Sequence, residues 1–484
     1  EARDEDEDHL ISIFGKTEDG KSVCVTTAFE PYFYIKLPDI KYAKEIYAHI
    51  KDKCIGYTVV KSKDIWGFQN NQDFLFMRVT FSNLKKRRNT DYFLKSPLKL
   101  SSGPFPLKVY ESNLDPILRM MHRTGIQSTG WLDTGKDCVR SNLAHVTIDL
   151  FCNNWETMTP IKSDDVAPFV VASFDIESNS STGKFPNADI SGDACFQIAV
   201  SLCTPDTDEP YDKTCFCYKK TDADLDGSTI LSYDTEKEML EAFRNYIITQ
   251  DIDIMTGWNI FGFDLEYIYK RAIKVGCSRT FFNLGRFKNE ESEMVYKRLS
   301  SSALGDNMLK LLPMSGRFIF DLFHEVKKGY KLDSYKLNNV SKHYLGDQKI
   351  DMSPKEMFAR FAEGDPVKLR DVAEYCIKDT LLPHRLVKRL CTLLNLLEMA
   401  KATWVPISFL VERGQQIKVF SQLTKKAREM GFMVPTIRYG SIPPVPYEGA
   451  TVLEAQAGAY YTPITALDFE GLYPSIMMAH NLCY

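Results

Sequence analysis

One short stretch of the sequence says most about the fold: an apolar run from Val166 to Phe174 that leads directly into Asp175-Ile-Glu177. A run without polar alternation predicts a central strand that is covered on both faces, as in α/β sheets. Side chains two positions apart in a strand point to the same side, so both carboxylates are expected at one point where the strand ends. The run therefore predicts an α/β domain with an acidic strand end.

The segments around this strand fit the same fold class. After the run come a second strand in DIDIMTGW, an amphipathic helix in DLEYIYKRAIKV and a strand or helix in GRFIFDLFHEV. A long helix begins at Asp365-Pro366, with Asp as N-cap and Pro at the first helical position. Residues 9 to about 160 mix short β-rich runs with helical stretches such as KYAKEIYAHIKD, which predicts a barrel-like or open-sheet domain. The proline-rich SIPPVPYEG predicts a boundary near residue 445, followed by a strand, a tight turn and the start of a helix.

Composition narrows the class of protein. With 484 residues, two to four domains are expected. A hydrophobic fraction of 44% and a charged fraction of 26% exclude disordered and fibrous chains. The sequence holds no apolar stretch long enough for a conventional membrane span, and the acidic start EARDEDEDHL does not resemble a secretory signal. Because an initiator Met is lacking, we expect a processed chain or a piece of a longer one.

Cysteine spacing and charge constrain the possible ligands. The 12 cysteines include no C-x-x-C pair, which argues against a structural zinc site, and we expect them to be reduced, buried and inert. The net charge of −4 implies that any nucleic-acid binding comes from local basic surface and from metal ions held by carboxylates. The basic run Lys85-Lys86-Arg87-Arg88 predicts a solvated surface turn, with a phosphate contact or an import signal as the alternative.

Two further acidic segments follow the strand end. Asp264, in Asn259-x-x-x-Phe263-Asp264, stands where a helix N-cap is expected after the second strand. Tyr375 and Asp379 lie one turn apart on the long helix, which Pro383 is expected to break or kink just beyond. Each of the three acidic segments alone has an ordinary interpretation. The strand end could simply be solvated, the second segment could only cap a helix, and the third could be a surface pair.

Together the segments favour one chemistry. Two divalent cations such as Mg²⁺ or Mn²⁺ need several carboxylate oxygens, and Asp175, Glu177, Asp264 and Asp379 would supply them. One cation would activate water while the other stabilises the leaving 3′ oxygen of DNA. A protonated phenol at Tyr375 would orient the attacking water. In the second segment, Phe263 would stack on a terminal base and Asn259 would hydrogen-bond to the DNA strand.

The three segments FDIES, GWNIFGFD and YCIKD resemble the three exonuclease motifs of family B DNA polymerases. The stretches TGIQSTGWL, GRFIFDLFHEVKKGYKLDSYKLNNVSKHYL, RGQQIKVFSQL and YEGATVLEAQAGAYYTPI also resemble delta-type members of eukaryotes and of large DNA viruses, with GWNIFGFDLEYIY and YEGATVLEA leaning toward the viral group. The resemblance is strong from about residue 120 onward and weak before it. It implies a ribonuclease-H-like fold for the 3′→5′ exonuclease domain.

The last segment, DFEGLYPSI, resembles the first palm motif of the same family. The resemblance implies that Asp468 binds the catalytic Mg²⁺ ions of a polymerase site. It also implies that Leu472 and Tyr473 contact the incoming nucleotide, with the tyrosine under the sugar, where it excludes a 2′-hydroxyl. Gly471 departs from the motif, which usually has serine there, and this leaves the geometry of the turn open. The alternative interpretation of Tyr473 is a core aromatic residue before a proline turn.

The resemblance also implies a division of the chain and a function. The expected parts are an oligonucleotide-binding-like β-rich domain (1–160), the exonuclease domain (161–394), a helical connector (395–445) and the start of the palm (446–484). The expected function is DNA-directed DNA synthesis with proofreading in DNA replication, in the nucleus or at a viral replication site. Expected partners are primer-template DNA, single-stranded 3′ ends, deoxynucleoside triphosphates, a sliding clamp and accessory subunits, but no membrane. The second palm aspartate motif and the fingers lysine are not found, so we expect this chain alone to trim but not extend a primer.

Two rival functions remain open at this stage. A stand-alone exonuclease would have no use for the palm motif at the end of the chain. A non-catalytic DNA-binding relative would be expected to have lost at least one of the four metal carboxylates, and all four positions are filled. The role of Asp321 also stays open, because it could support the site or only cap an element.

Overall fold

A computed structural model describes residues 1–5, 8–207, 209–301, 305–437 and 448–482. Its strands in chain order are β1 (Ala2–Glu5), β2 (Asp8–Lys16), β3 (Ser22–Ala28), β4 (Tyr32–Leu37), β5 (Gly56–Asp64), β6 (Asp73–Thr80), β7 (Leu98–Leu100), β8 (Gly103–Phe105), β9 (Val109–Tyr110), β10 (Trp131–Asp133), β11 (Cys138–Arg140), β12 (Ile148–Cys152), β13 (Thr159–Ile161), β14 (Val171–Ser178), β15 (Cys195–Cys203), β16 (Asp212–Tyr218), β17 (Thr229–Tyr233), β18 (Ile254–Thr256), β19 (Val295–Ser301), β20 (Gly305–Leu311), β21 (Phe318–Ile319) and β22 (Phe432–Met433). Its α-helices are α1 (Tyr42–Ile50), α2 (Leu84–Phe93), α3 (Pro116–Thr124), α4 (Glu236–Thr249), α5 (Asp264–Lys274), α6 (Ser278–Phe281), α7 (Leu322–Gly329), α8 (Leu337–Leu345), α9 (Pro354–Glu363), α10 (Pro366–Arg389), α11 (Thr392–Thr403), α12 (Ile407–Glu412), α13 (Gln416–Glu429) and α14 (Leu472–His480).

The chain divides into two compact units. The first unit comprises Glu1–Phe29 and Asp115–Leu423, and the second comprises Glu30–Leu114 and Thr424–Tyr484. This division by contacts is coarser than the four segments expected from the sequence, whose boundaries stay a prediction.

The first unit is built around a six-stranded sheet in the order β17-β16-β15-β14-β18-β21. Strand β14 is central, antiparallel to β15 and parallel to β18, which confirms the prediction of a central strand in an α/β fold. The strand begins at Val171 rather than at Val166. Pro168 has no N–H for a ladder, and the Val170 N–H donates to the Asp253 carboxylate (2.8 Å), so the first part of the run stays outside the sheet.

Helices cover both faces of this sheet. On one face, Phe174 and Ile176 of β14 belong to a hydrophobic cluster that includes Phe243 of α4 and Leu265 of α5. On the other face, small side chains of β15 and β16 pack against α10 in a cluster that includes Ala199, Cys215, Cys217, Ala373 and Cys376. The alternation along β14 therefore points Asp175 and Glu177 to the α10 face.

The long helix α10 differs from its prediction in one respect. Asp365 caps it and Pro366 is its first residue, as predicted, with the Asp365 side chain accepting from two backbone N–H groups. Pro383, however, lies inside the helix, which continues to Arg389, so the predicted break does not occur, while the alternative of a kink stays a prediction. Pro383 is buried, with Leu382 and Leu386 beside it in the main core, so packing holds the helix together past the missing hydrogen bond.

The first unit also contains a five-stranded open sheet in the order β1-β2-β3-β12-β11. Cys138 and Cys152 are directly opposite each other in β11 and β12, with Cα atoms 4.1 Å apart, and they form a disulfide. The expectation that all thiols are reduced is therefore wrong for this pair. The expectation that the thiols are buried is wrong for Cys391, which is exposed, and for Cys54, which is half-buried.

The second unit contains a five-stranded sheet in the order β22-β5-β6-β4-β9. The basic run lies on helix α2 and not in a surface turn: Asn83 caps the helix, and the buried Arg87 donates to the carbonyl of Leu114 (2.8 Å). This hydrogen bond gives the buried guanidinium a polar partner, as buried charged groups require. Most of the proline-rich boundary segment lies outside the described residues.

The start of the expected palm forms less structure than predicted. Helix α14 follows Gly471, which has a left-handed conformation (φ +61°). The strand predicted before Asp468 is absent from the described residues 448–471, which are exposed and have no neighbouring strand to pair with. Among the helices in the described parts of the chain, none is both long and apolar enough to cross a membrane.

A buried ion pair ties the helices of the first unit to its sheet. Arg271 of α5 donates to both oxygens of Glu236 in α4, from Nε at 2.7 Å and from Nη2 at 2.5 Å. Glu236 also accepts from the Cys195 N–H of β15 (2.9 Å), and Arg271 donates to the carbonyl of Ile190 (2.8 Å). Both side chains are almost fully buried.

We expect Glu236→Ala to lower the free energy of unfolding by about 3–5 kcal/mol, because it leaves the Arg271 charge buried without its partner. Chemical denaturation measures the change. Glu356→Ala, which breaks an exposed pair with Arg360 (2.8 Å), is the control and should cost less than about 1 kcal/mol. Equal losses in the two variants would contradict a structural role for the buried pair.

Candidate metal centre

Asp175 and Glu177 lie where β14 ends, and both project from its α10 face. Asp175 is half-buried and Glu177 is buried. One ligand atom each from Asp175, Glu177 and Cys376 lies within 4.8 Å of the other two. The structure thus brings together the two strand carboxylates that the sequence predicted, and it adds a thiol that the sequence did not predict.

Tyr375 and Asp379 are contributed by α10. Both are buried, one turn apart, and both contact Lys349, which lies in the loop after α8. The Lys349 ammonium donates to Oδ2 of Asp379 and, at 3.3 Å, to the phenol oxygen of Tyr375. The other oxygen of Asp379, Oδ1, is buried and has no hydrogen-bond partner.

Asp264 was predicted as the N-cap of α5, but it is the first residue of that helix, and Phe263 is the N-cap. It is buried, and its carboxylate accepts a hydrogen bond from the backbone of Ile176, the residue between Asp175 and Glu177 on β14. This contact couples the start of α5 to the end of the central strand. Asp264 therefore lies beside the strand carboxylates, as predicted.

All four carboxylates have raised pKa values, and in Asp175, Glu177 and Asp264 a neighbouring acid contributes to the rise. Burial, followed by the charge of Asp379, raises the pKa of Asp175 to about 8, while Lys349 opposes the rise. Burial, followed by the charge of Asp175, also raises the pKa of Glu177 and of Asp264 well above their ordinary values. The pKa of Asp379 is raised by burial and held back by Lys349. Such crowding of acids, together with the partnerless Oδ1 of Asp379, is what a site for divalent cations requires.

Asn259 and Asp321 shape the loop between β18 and α5. The backbone N–H groups of Asn259 and Phe261 donate to the two oxygens of Asp321 at 2.9 and 3.0 Å, and Asp321 also caps α7 by accepting from Phe323 (3.0 Å). Asn259 has a positive φ of 63°, and its Oδ1 lies only 2.3 Å from where a Cβ at Gly262 would be. A Cβ at position 262 would therefore displace the Asn259 side chain, and Asp321 both caps a helix and holds the loop.

Phe263 is half-buried beside two other aromatic rings. Its ring lies 5.0 Å from that of Tyr267 and 5.3 Å, edge to face, from that of Phe185. Phe185 belongs to the loop after β14 and is 79% exposed, so its ring is open to solvent. The pair offers an aromatic surface next to Asp264.

The sequence predicted no site role for Lys349, Phe185 or Cys376, and it left the role of Asp321 open. Lys349 and Phe185 lie in loops without a periodic pattern, so no local signal distinguishes them from ordinary surface residues. Cys376 is hidden inside the Tyr375–Asp379 spacing, where an apolar neighbour is the usual expectation. The loop contacts of Asp321 involve residues about 60 positions away, which sequence spacing cannot indicate.

The predicted palm residues Asp468, Leu472 and Tyr473 lie in the second unit, whereas the carboxylates above lie in the first. All three are exposed. Within the described residues, Asp468 belongs to no cluster of three or more possible metal ligands. Their predicted functions stay predictions.

Comparison with known protein families gives two matches along the chain. Residues 107–340 match the model of the DNA polymerase family B exonuclease domain, and residues 405–484 match the model of DNA polymerase family B itself. The chain belongs to DNA polymerase family B. The first match includes Asp175, Glu177 and Asp264, and exonuclease domains of this family depend on metal ions.

Individual proteins agree with this membership. A DNA polymerase of Paramecium bursaria Chlorella virus NY2A is 35% identical over 98% of this chain and 52% of its own length. The DNA polymerase delta catalytic subunit of Arabidopsis thaliana is 35% identical over 98% of this chain and 45% of its own. The family B DNA polymerase of Pyrobaculum calidifontis has the same fold, with a TM-score of 0.67 at 18% identity over 94% of this chain and 52% of that one. This chain thus spans about half the length of these proteins, and its delta-like character agrees with the sequence analysis.

We expect Asp321→Ala to lower the free energy of unfolding by about 2–4 kcal/mol, because three backbone N–H groups lose their acceptor in a buried place. Urea denaturation measures the loss. The control is Asp365→Ala, which removes a cap that serves only its own helix and should cost about 1 kcal/mol. A loss from Asp321→Ala no larger than that of the control would show that the loop contacts are unimportant.

We expect Lys349→Met to make stability more dependent on divalent cations. Without them the variant should be about 1–2 kcal/mol less stable than the original, because no ammonium offsets the crowded carboxylates. Adding Mg²⁺ should therefore raise its melting temperature more than that of the original chain. Lys368→Met, which breaks the exposed pair between Lys368 of α10 and Glu363 at the end of α9, is the control. An unchanged response to Mg²⁺ in Lys349→Met would contradict the electrostatic role of Lys349.

Proposed function

We propose that the first unit is a 3′→5′ exonuclease that removes nucleotides from the 3′ end of DNA and proofreads for a polymerase. The observation that carries the proposal is the group of four buried or half-buried carboxylates with raised pKa values, among which Oδ1 of Asp379 has no partner. A structural role alone gives no reason to collect so much negative charge at one place in a core.

Asp175, Glu177, Asp264 and Asp379 would hold two divalent cations, Mg²⁺ or Mn²⁺. When bound, the cations supply an activated water and stabilise the negative charge on the leaving 3′ oxygen. The protein contributes the fixed arrangement of the acids: two on a central strand, one at the start of α5 and one on α10. Rigid elements on three sides keep the carboxylates in place although they repel one another.

Tyr375 would orient the attacking water. Its phenol lies 3.3 Å from the Lys349 ammonium, one helical turn before Asp379. Burial and the charge of Asp379 raise the pKa of Tyr375 above its ordinary value, so the phenol keeps its proton at neutral pH. A protonated phenol can donate a hydrogen bond to a water or a phosphate oxygen without taking part in proton transfer.

The loop from Asn259 to Phe263 would bind the terminal nucleotide. The ring of Phe263, extended by the exposed Phe185, gives an aromatic surface on which an unpaired base can stack. The Asn259 side chain would bond the DNA strand near the same loop. Stacking tolerates any base, which suits an enzyme that must remove whichever nucleotide was misincorporated.

We further propose that the whole protein is a DNA-directed DNA polymerase that works in DNA replication. Asp468 would hold the catalytic Mg²⁺ ions, with Leu472 and Tyr473 at the incoming deoxynucleoside triphosphate. The proteins compared above, named a DNA polymerase and a DNA polymerase delta catalytic subunit, support this. Primer-template DNA, a sliding clamp and accessory subunits would be its partners, in the nucleus or at a viral replication site. We retain the predicted segments 1–160, 161–394, 395–445 and 446–484 as its domain plan.

The two rival functions have less support. The match of residues 405–484 to the polymerase family disfavours a stand-alone exonuclease. A non-catalytic relative would not need four carboxylates gathered where burial raises all their pKa values, at a cost in stability. We therefore retain the proofreading nuclease as the proposed function.

The test is the double variant Asp175→Ala/Glu177→Ala. Mg²⁺-dependent shortening of a 5′-labelled single strand should fall by about a thousandfold or more, since each 1.4 kcal/mol lost from transition-state stabilisation is a factor of ten and metal catalysis supplies several kcal/mol. Gel electrophoresis of the labelled strand measures the rate.

Asp224→Ala/Asp226→Ala is the matched control, because it also removes two carboxylates two positions apart, here in an exposed loop of the same unit. It should leave the rate unchanged. Undiminished degradation by the Asp175→Ala/Glu177→Ala variant would refute the proposed site.

A further inference from the structure

The thiol of Cys376 lies inside the metal centre, and none of the functions proposed above uses it. Cys376 is on α10 directly after Tyr375 and three residues before Asp379, and it is fully buried. Its Sγ lies 3.6 Å from the main-chain carbonyl oxygen of Asp175 and donates to it. The thiol therefore contacts the same strand end that presents the acids.

The position of this sulfur relative to the acids is what a mixed-ligand metal site requires. Sγ of Cys376 and one oxygen each of Asp175 and Glu177 all lie within 4.8 Å of one another. Ligand atoms of a tetrahedral zinc site are about 3.5 Å apart, so side-chain movements of about 1 Å would complete the site. Mg²⁺ takes only oxygen ligands, whereas Zn²⁺ and Cd²⁺ prefer sites that include a thiolate.

The other contacts of the Cys376 thiol are weak. A hydrogen bond joins it to the thiol of Cys215 on β16, whose Sγ lies 3.6 Å from that of Cys217. Thiols are poor donors and acceptors, so these contacts resist displacement much less than a bond to an oxygen or nitrogen atom would. Packing as a small apolar side chain accounts for the burial of Cys376 but not for its distance from two carboxylates.

We propose that Asp175, Glu177 and Cys376 form a binding site for a thiophilic divalent cation of the Zn²⁺ class, as an alternative to the hard cations of the nuclease. On binding, the S–H bond of Cys376 breaks, a metal–sulfur bond forms and the proton passes to solvent. The cation occupies two of the four acids, so it excludes the hard cations from them. Binding depends on the geometry alone; only the resulting inhibition of DNA trimming rests on the proposed function.

Cd²⁺ is the probe, because its bond to a thiolate gives an ultraviolet charge-transfer band. The measurement is made without DNA and without Mg²⁺ on a Cys391→Ser chain, because Cys391 is the exposed cysteine among the described residues. We expect a band that saturates at about one Cd²⁺ per chain. Adding Cys376→Ser should abolish this band or weaken the affinity at least tenfold. An unchanged band and affinity in the Cys376→Ser chain would overturn the proposal.

Glu177→Gln on the same Cys391→Ser background covers the case in which the Cys376 variant does not fold. It keeps the thiol but removes a carboxylate, so the band should remain while Cd²⁺ binds at least tenfold more weakly. If Glu177→Gln left the affinity for Cd²⁺ unchanged, the sulfur that produces the band would lie elsewhere in the chain. That result would also overturn the proposal. Cd²⁺ should inhibit DNA trimming by the Cys391→Ser chain more than by the chain with Cys376→Ser. If no variant trims DNA but the band behaves as expected, the cation site is supported and the proposed nuclease function is wrong.

Discussion

The first unit is organised around carboxylates that repel one another at the end of its central strand. Strand β14 is buried between β15 and β18 and covered by helices on both faces, yet it carries two carboxylates on one of those faces. Two more acids, Asp264 and Asp379, approach from α5 and α10. Burial raises the pKa values of all four, and neighbouring acids raise those of Asp175, Glu177 and Asp264 further. Without compensation this end of the strand would be the least stable part of the core.

The compensation comes from the surrounding structure. Lys349 places a positive charge against Asp379, but it satisfies only one oxygen of that carboxylate. The ion pair of Arg271 with Glu236 lies on the other side of the sheet, where it joins α4, α5 and β15 through neutralised charges. The remaining negative charge at the strand end is therefore concentrated where a divalent cation would be stabilised most. The same low-polarity surroundings that penalise the acids strengthen their attraction for such a cation.

Much of this arrangement could be predicted from the sequence, because it depends on short-range periodicity. Side chains alternate between the two faces of a strand, which predicted that Asp175 and Glu177 lie together. The spacing of four residues on a helix predicted the same for Tyr375 and Asp379. The start of the strand was misjudged because an apolar run does not show which N–H groups find ladder partners, and Val170 bonds a side chain instead. The interior position of Pro383 and the pairing of Cys138 with Cys152 depend on contacts that form only in the folded chain. The same is true of Lys349, which meets Asp379 from a loop 30 residues away.

Small side chains beneath helix α10 determine how the helix presents its residues to the site. The cluster beneath it on β15 and β16 includes Ala199, Cys215 and Cys217, which lets the helix lie close to the sheet. Three residues of α10 then reach different groups: Tyr375 reaches Lys349, Cys376 reaches the carbonyl of Asp175, and Asp379 joins the acids. A larger side chain under the helix would move all three at once. The packing of small residues behind the site is therefore as much a condition for placing the fourth carboxylate as the Tyr-x-x-x-Asp spacing itself.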